Sequence, residues 1–117
     1  MKWRTITTEE DIEEMMRQSQ STACLVYKHS TRCTMSEMMK YILEEEWDFG
    51  ETELIPYYLD ILAHKKLAAK IADDFQVYHQ SPQVLLIQEG ECTFDEDHKA
   101  ISVDEIREHL EDNPWKF

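Results

Sequence analysis

Ala23-Cys-Leu-Val-Tyr27 is an unbroken apolar run, with no polar residue at either of its alternating faces. Such a run suits a strand buried on both sides, as in a parallel sheet covered by helices. What ends it is equally informative. His29-Ser-Thr-Arg-Cys33-Thr-Met-Ser36 breaks the pattern, and Glu37 to Glu46 resumes with helical spacing of Met38, Met39, Ile42 and Leu43. Cys33 therefore stands where a strand gives way to a helix. The unpaired N–H groups and dipole of a first helical turn stabilise a thiolate, the reactive form of cysteine.

The remaining chain continues the alternation. Thr8-Glu-Glu-Asp11 reads as a helix cap, with Ile12, Met15 and Met16 on one face. Leu54 to Ile61 reads as a second strand, with Pro56 near its start, and Lys65 to Phe75 as a helix burying Leu67, Ala68, Ile71, Ala72 and Phe75. Val84 to Ile87 is a short buried strand, and Glu89-Gly90 the turn of a hairpin that returns through Cys92 and Phe94. Ser102-Val-Asp-Glu105 matches a capping box opening a last helix with Val103, Ile106 and Leu110, which Pro114 stops. The expected order is α-β-α-β-α-β-β-α in a single domain spanning residues 1–117.

Charge and composition narrow the function. With 25 acidic against 12 basic residues the net charge is −13, which argues against nucleic acid and anionic membranes as partners. Met1 to Ile6 is basic but leads into acidic residues, so neither a signal peptide nor a membrane span is expected. Three cysteines, an odd number, argue against a secreted disulfide framework and for a reducing cytoplasm. Only two glycines are present, in no phosphate-binding loop. The five histidines show no metal-ligand spacing, and Met35, Met38 and Met39 fall at core spacing, so no metal site is expected.

A βαβ half followed by a ββα half, with a cysteine at the first strand-to-helix junction, is the thioredoxin-like arrangement, an α/β fold with a central mixed sheet flanked by helices. More narrowly, the chain resembles the monothiol bacilliredoxins of the bacillithiol system. The residues that carry the resemblance are Lys28-His-Ser-Thr-Arg-Cys33 with Ser36 closing C-x-x-S, and His79-Gln-Ser-Pro-Gln83 before Val84 to Ile87. The family usually has Pro-Ile-Ser after the cysteine, whereas this chain has Thr34-Met35-Ser36, a change that can move thiolate stability in either direction.

The resemblance implies a thiol–disulfide oxidoreductase that removes bacillithiol, a low-molecular-weight thiol, from proteins carrying it as a mixed disulfide. Cys33 is then the nucleophile, and Ser36 cannot resolve it, so an external thiol must. No bound cofactor is implied; bacillithiol is the exchanging thiol, bacillithiolated proteins are the partners, and a monomer is expected. The fold also implies a cis proline at Pro82 facing the cysteine. The Ser81 backbone before it is placed to pair with a bound thiol or peptide. Thr31 is placed to meet a bound thiol through its backbone.

Spacing leaves the other two cysteines out of this chemistry. On extended strands Cys24 and Cys92 each lie ~16 Å from the junction region, beyond the ~7 Å between Cα atoms that a disulfide allows. They read as core fillers. Lys28, His29 and Arg32 form a local basic cluster able to lower the Cys33 pKa, opposed by Glu37; alternatively Lys28 and Arg32 are solvated and His29 caps the strand end. Ser36 is either a donor to the thiolate or a plain surface serine. His79 and Gln80 either border the groove or face water.

Two other functions fit the same residues. An iron–sulfur carrier resembling monothiol glutaredoxins uses one cysteine plus an external thiol, although those proteins have glycine where this chain has Thr34. A redox-silent module that kept the fold would use its acidic surface, with Trp115 and Phe117, for a partner.

Overall fold

Every residue from Ala23 to His29 is buried, and a single sheet is built around that strand. In the computed structural model, which describes residues 1–112, the elements run Arg4–Thr5 (β1), Glu9–Gln18 (α1), Ala23–His29 (β2), Thr34–Glu46 (α2), Leu54–Asp60 (β3), Lys65–Phe75 (α3), Gln83–Gln88 (β4), Glu91–Asp97 (β5), a 3-10 turn at His98–Ala100, and Val103–Asp112 (α4). The expected order is present with two additions, β1 and the 3-10 turn. Pro114, Trp115 and Phe117 lie outside the described residues.

The strand order is β1-β3-β2-β4-β5. β1, β3 and β2 are parallel, whereas β4 pairs antiparallel with both β2 and β5, so the sheet is mixed. Alternation along β2 divides the core. Cys24 and Val26 join Ile12, Met15, Leu67, Ile71 and Phe75 under α1 and α3. Ala23, Leu25 and Tyr27 join Met39, Leu43, Ile101 and Ile106 under α2 and α4. Each large apolar side chain so buried contributes roughly 1.5–3 kcal/mol, which favours a strand that spends none of its positions on water.

Local signals place the elements around it. Thr8 caps α1 as expected, accepting from the Asp11 amide at 3.1 Å while Asp11 reaches back to the Thr8 amide at 3.1 Å. At the start of α4 the Ser102 hydroxyl accepts from the Glu105 amide at 3.0 Å. The β4–β5 turn falls at Glu89-Gly90, with φ of 52° and 77°, the left-handed pair that suits a tight hairpin. Its Glu89 amide donates to the Ser19 carbonyl and its Gly90 amide to Ser19 Oγ, docking the turn on the end of α1. The register then sets Cys92 opposite Ile87. Not every expected core residue is buried: Met39 and Leu43 are, but Met38 is 44% exposed on the outer flank of α2, and Met16, Met35, Ile42, Ala72 and Cys92 are only half-buried. Among the described residues no helix is long and apolar enough to cross a membrane.

Candidate active site

The C-terminal end of β2 and the N-terminal end of β4 lie side by side, Lys28 pairing with Gln83. This brings the segment 29–36 and the segment 78–82 to the same end of the sheet, although they are far apart in the chain. Cys33 is the N-cap of α2, half-buried, with extended backbone and its amide donating to the Ser30 carbonyl at 3.1 Å. Its side chain makes no cap hydrogen bond. The free first-turn amides of α2 are therefore the groups that a thiolate at this position can engage. Thr31, Arg32 and Thr34 surround it and are all exposed.

The other two thiols are held protonated. Burial pushes Cys24 up to about 12, Arg4 acting weakly against it. Burial and then Asp95 push Cys92 up to about 11. Both flank Ile87 in the sheet register, Cys24 on β2 and Cys92 on β5. Two strand spacings separate their backbones by roughly 10 Å, beyond disulfide reach.

Lys28 and His29 do not form one basic cluster with Arg32. Successive residues of a strand face opposite ways, so the sheet stands between them. Lys28 is wholly buried rather than solvated, and its Nζ donates to Gln83 Oε1 at 2.8 Å. Burial pushes its ammonium down to about 8. Only Arg32, exposed beside Cys33, keeps the placement that the sequence led us to expect.

His29, on the other face, is also buried. Its Nε2 lies 2.9 Å from Glu37 Oε1 and its Nδ1 lies 2.7 Å from Ser36 Oγ. With Nε2–H donating to the Glu37 carboxylate, Nδ1 accepts from the Ser36 hydroxyl, an assignment made from the network. Ser36 Oγ also accepts from the Ser30 amide at 3.0 Å, and the Tyr27 hydroxyl donates to the Ser36 carbonyl at 2.7 Å. Ser36 is thus not a surface serine, and its hydroxyl is not free for the thiolate, although its amide is one of the first-turn N–H groups of α2. Its hydroxyl is committed to His29 and the backbone, where it pins the loop that carries Cys33. Glu37 accepts from the neutral imidazole but keeps its negative charge, so the bond to His29 fixes the carboxylate in place without removing its opposition to a thiolate. The rings of Tyr27 and Tyr58 flank the imidazole at 5.9 and 5.5 Å.

Across the site, Ser81-Pro82 is a cis peptide. Pro82 is buried and its carbonyl accepts from the His98 amide at 3.0 Å. Ser81 is half-buried, with a hydroxyl that has no solvent access and, among the described residues, no hydrogen-bond partner. His79 and Gln80 are exposed, and partial desolvation followed by the Lys28 charge lowers the His79 pKa. Tyr78 projects 92% exposed. It stands between a groove of about 500 Å³ that includes Ala72, Val77 and His79 and one of about 420 Å³ that includes Gln80, Gln83 and Asp97. Neither Tyr78 nor the role of Gln83 is legible in the sequence; an aromatic one residue removed from a Gln-Ser-Pro-Gln segment is the signal it carries. Among the described residues, no three His, Cys, Asp or Glu side chains converge as a metal ion would require.

Comparison with known proteins bears on the family and the fold. Residues 4–106 match the family model of the monothiol bacilliredoxin BrxC. A solved structure described as a candidate oxidoreductase with a thioredoxin fold is similar over 90% of each chain, with a TM-score of 0.73 and 24% identity. The crystal structure of Malassezia sympodialis thioredoxin (Mala s 13) superposes with a TM-score of 0.74 at 10% identity, covering 95% of this chain and 90% of that one. The mixed sheet with its flanking helices is therefore the thioredoxin fold, and the findings support a thiol redox role. Because the matched region runs from β1 into α4 and takes in both the Cys33 junction and the Ser81-Pro82 loop, the chain belongs to the monothiol bacilliredoxin family.

Proposed function

We propose that this protein removes bacillithiol from protein mixed disulfides, with Cys33 as the sole nucleophile. One observation carries the reading. Of the three thiols, only Cys33 lies at a helix N-terminus with its side chain uncommitted, while burial holds Cys24 and Cys92 protonated.

The Cys33 thiolate attacks the bacillithiol sulfur of the mixed disulfide. The protein thiolate leaves and takes a proton from solvent, and bacillithiol is now disulfide-bonded to Cys33. Ser36 offers no second sulfur, so a free bacillithiol thiolate attacks the bacillithiol sulfur held on Cys33. This releases oxidised bacillithiol and regenerates the Cys33 thiolate. Arg32, exposed beside Cys33, attracts the carboxylates of an anionic thiol, and the Ser81 backbone pairs with an extended substrate segment. The exchanging thiol is the only small molecule required; the partners are bacillithiolated proteins of a reducing compartment.

Intact-protein mass spectrometry after mixing with a bacillithiolated peptide tests this. Wild type gains the mass of one bacillithiol and Cys33→Ser gains none. No transfer to wild type, or transfer that survives in Cys33→Ser, refutes the assignment.

A further inference from the structure

Lys28 is a fully buried lysine that, among the described residues, forms no ion pair. A buried ammonium without a counter-ion is costly, so its retention calls for a reason beyond packing. Among the described residues the hydrogen-bond partner of its ammonium is the Gln83 carboxamide, itself 1% exposed. That carboxamide is the hub of the loop preceding Ser81-Pro82. Gln83 Oε1 accepts from the Gln80 amide at 3.4 Å, and Gln83 Nε2 donates to the Tyr78 carbonyl at 3.0 Å.

The orientation of the hub is decided by Lys28. An ammonium only donates, so it selects the orientation in which Oε1 faces it. The same orientation turns Nε2 toward the Tyr78 carbonyl. A flipped carboxamide would set N–H against N–H at Lys28 and at Gln80, and oxygen against oxygen at Tyr78. One buried donor on β2 thus fixes two backbone groups in the loop that ends at Ser81.

We propose that Lys28 is a positioning residue for exchange: through Gln83 it holds the loop 78–81 so that the Ser81 backbone is ready to pair with an extended segment of the bacillithiolated protein. This rests on the function proposed above, and its effect falls on binding of the protein substrate rather than on the chemistry at sulfur.

The test compares wild type, Lys28→Met and Gln83→Glu in exchange with a bacillithiolated peptide, beside alkylation of Cys33 by iodoacetamide. Lys28→Met raises KM for the peptide about fivefold to tenfold, leaving kcat within about twofold and the alkylation rate unchanged. Gln83→Glu keeps an acceptor facing Lys28 but sets a carboxylate oxygen against the Tyr78 carbonyl; it raises KM likewise and serves alone if Lys28→Met does not fold. An unchanged KM, or a fall in kcat matched by slower alkylation, overturns the proposal. Amide hydrogen exchange at Gln80 separates this failure from failure of the functional reading. If wild type transfers no bacillithiol, faster Gln80 exchange in Lys28→Met still upholds the clamp, and unchanged exchange overturns it.

Discussion

Replacing Lys28 by methionine should make the protein more stable at neutral pH and less stable at high pH. Burial lowers the Lys28 pKa from an ordinary 10.5 to about 8. Below about pH 8 the fold must hold a buried ammonium, and the penalty is fully present. As pH rises from 8 to 10.5 the folded lysine is already neutral while the unfolded one still binds a proton. Stability therefore increases with pH through that window, by about 1.4 kcal/mol per pH unit and about 3 kcal/mol in all. Methionine removes this dependence, and it also removes the hydrogen bond to Gln83, worth about 1 kcal/mol when the amine is neutral. The variant should accordingly be about 2 kcal/mol more stable than wild type at pH 7 and about 1 kcal/mol less stable above pH 10.5.

The assay is urea unfolding of both proteins, fully reduced, across pH 6.5 to 10.5. The quantity to follow is their difference. Cys24, Cys92 and Tyr27 have raised pKa values in the fold, so each contributes stability that is lost as pH rises past its unfolded value. Those losses are common to both proteins and cancel. A difference that stays flat from pH 7 to 10 would falsify the account of Lys28 as a buried, unpaired cation.

Native alkylation at pH 7.5 should modify Cys33 alone, Cys24 and Cys92 reacting only in denaturant; mass spectrometry that finds Cys92 labelled at a comparable rate contradicts its assignment as an inert filler. Cys33→Ser should raise unfolding free energy by about 0.5–1 kcal/mol while abolishing exchange, because a serine hydroxyl caps α2 where the thiol makes no cap bond; an unchanged urea midpoint shows that the first-turn amides are not free for a cap. Glu89→Asn should stabilise by about 0.5–1 kcal/mol, since Glu89 sits at φ 52° in the hairpin turn and asparagine tolerates that region better; a lower thermal midpoint argues against the turn as described.

Much of the scaffold was legible because its signals are local. The helical spacing of Lys65 to Phe75 reproduces α3 residue for residue, and the capping pattern at Thr8 is met by the bonds it implies. Counting outward from Glu89-Gly90 sufficed to set Cys92 opposite Ile87. β1 was missed for the converse reason: two residues carry no periodicity, and they become a strand only by pairing with Tyr57 and Tyr58.

What the chain alone determined, then, was the succession of elements and the placing of Cys33 at a strand-to-helix junction, since periodicity, caps and turns act over a few residues. The surroundings of that cysteine were decided by tertiary structure. Lys28 and His29 are neighbours in sequence, yet the pleat sends one beneath α1 and α3 and the other beneath α2, dissolving the basic cluster that their adjacency suggested. The burial of Ser36 against His29 follows from the packing of α2 on β2. The Lys28–Gln83 contact joins positions 55 residues apart. No local rule reaches that far; it exists because β4 pairs antiparallel with β2, and the sheet had to form before either side chain had a partner.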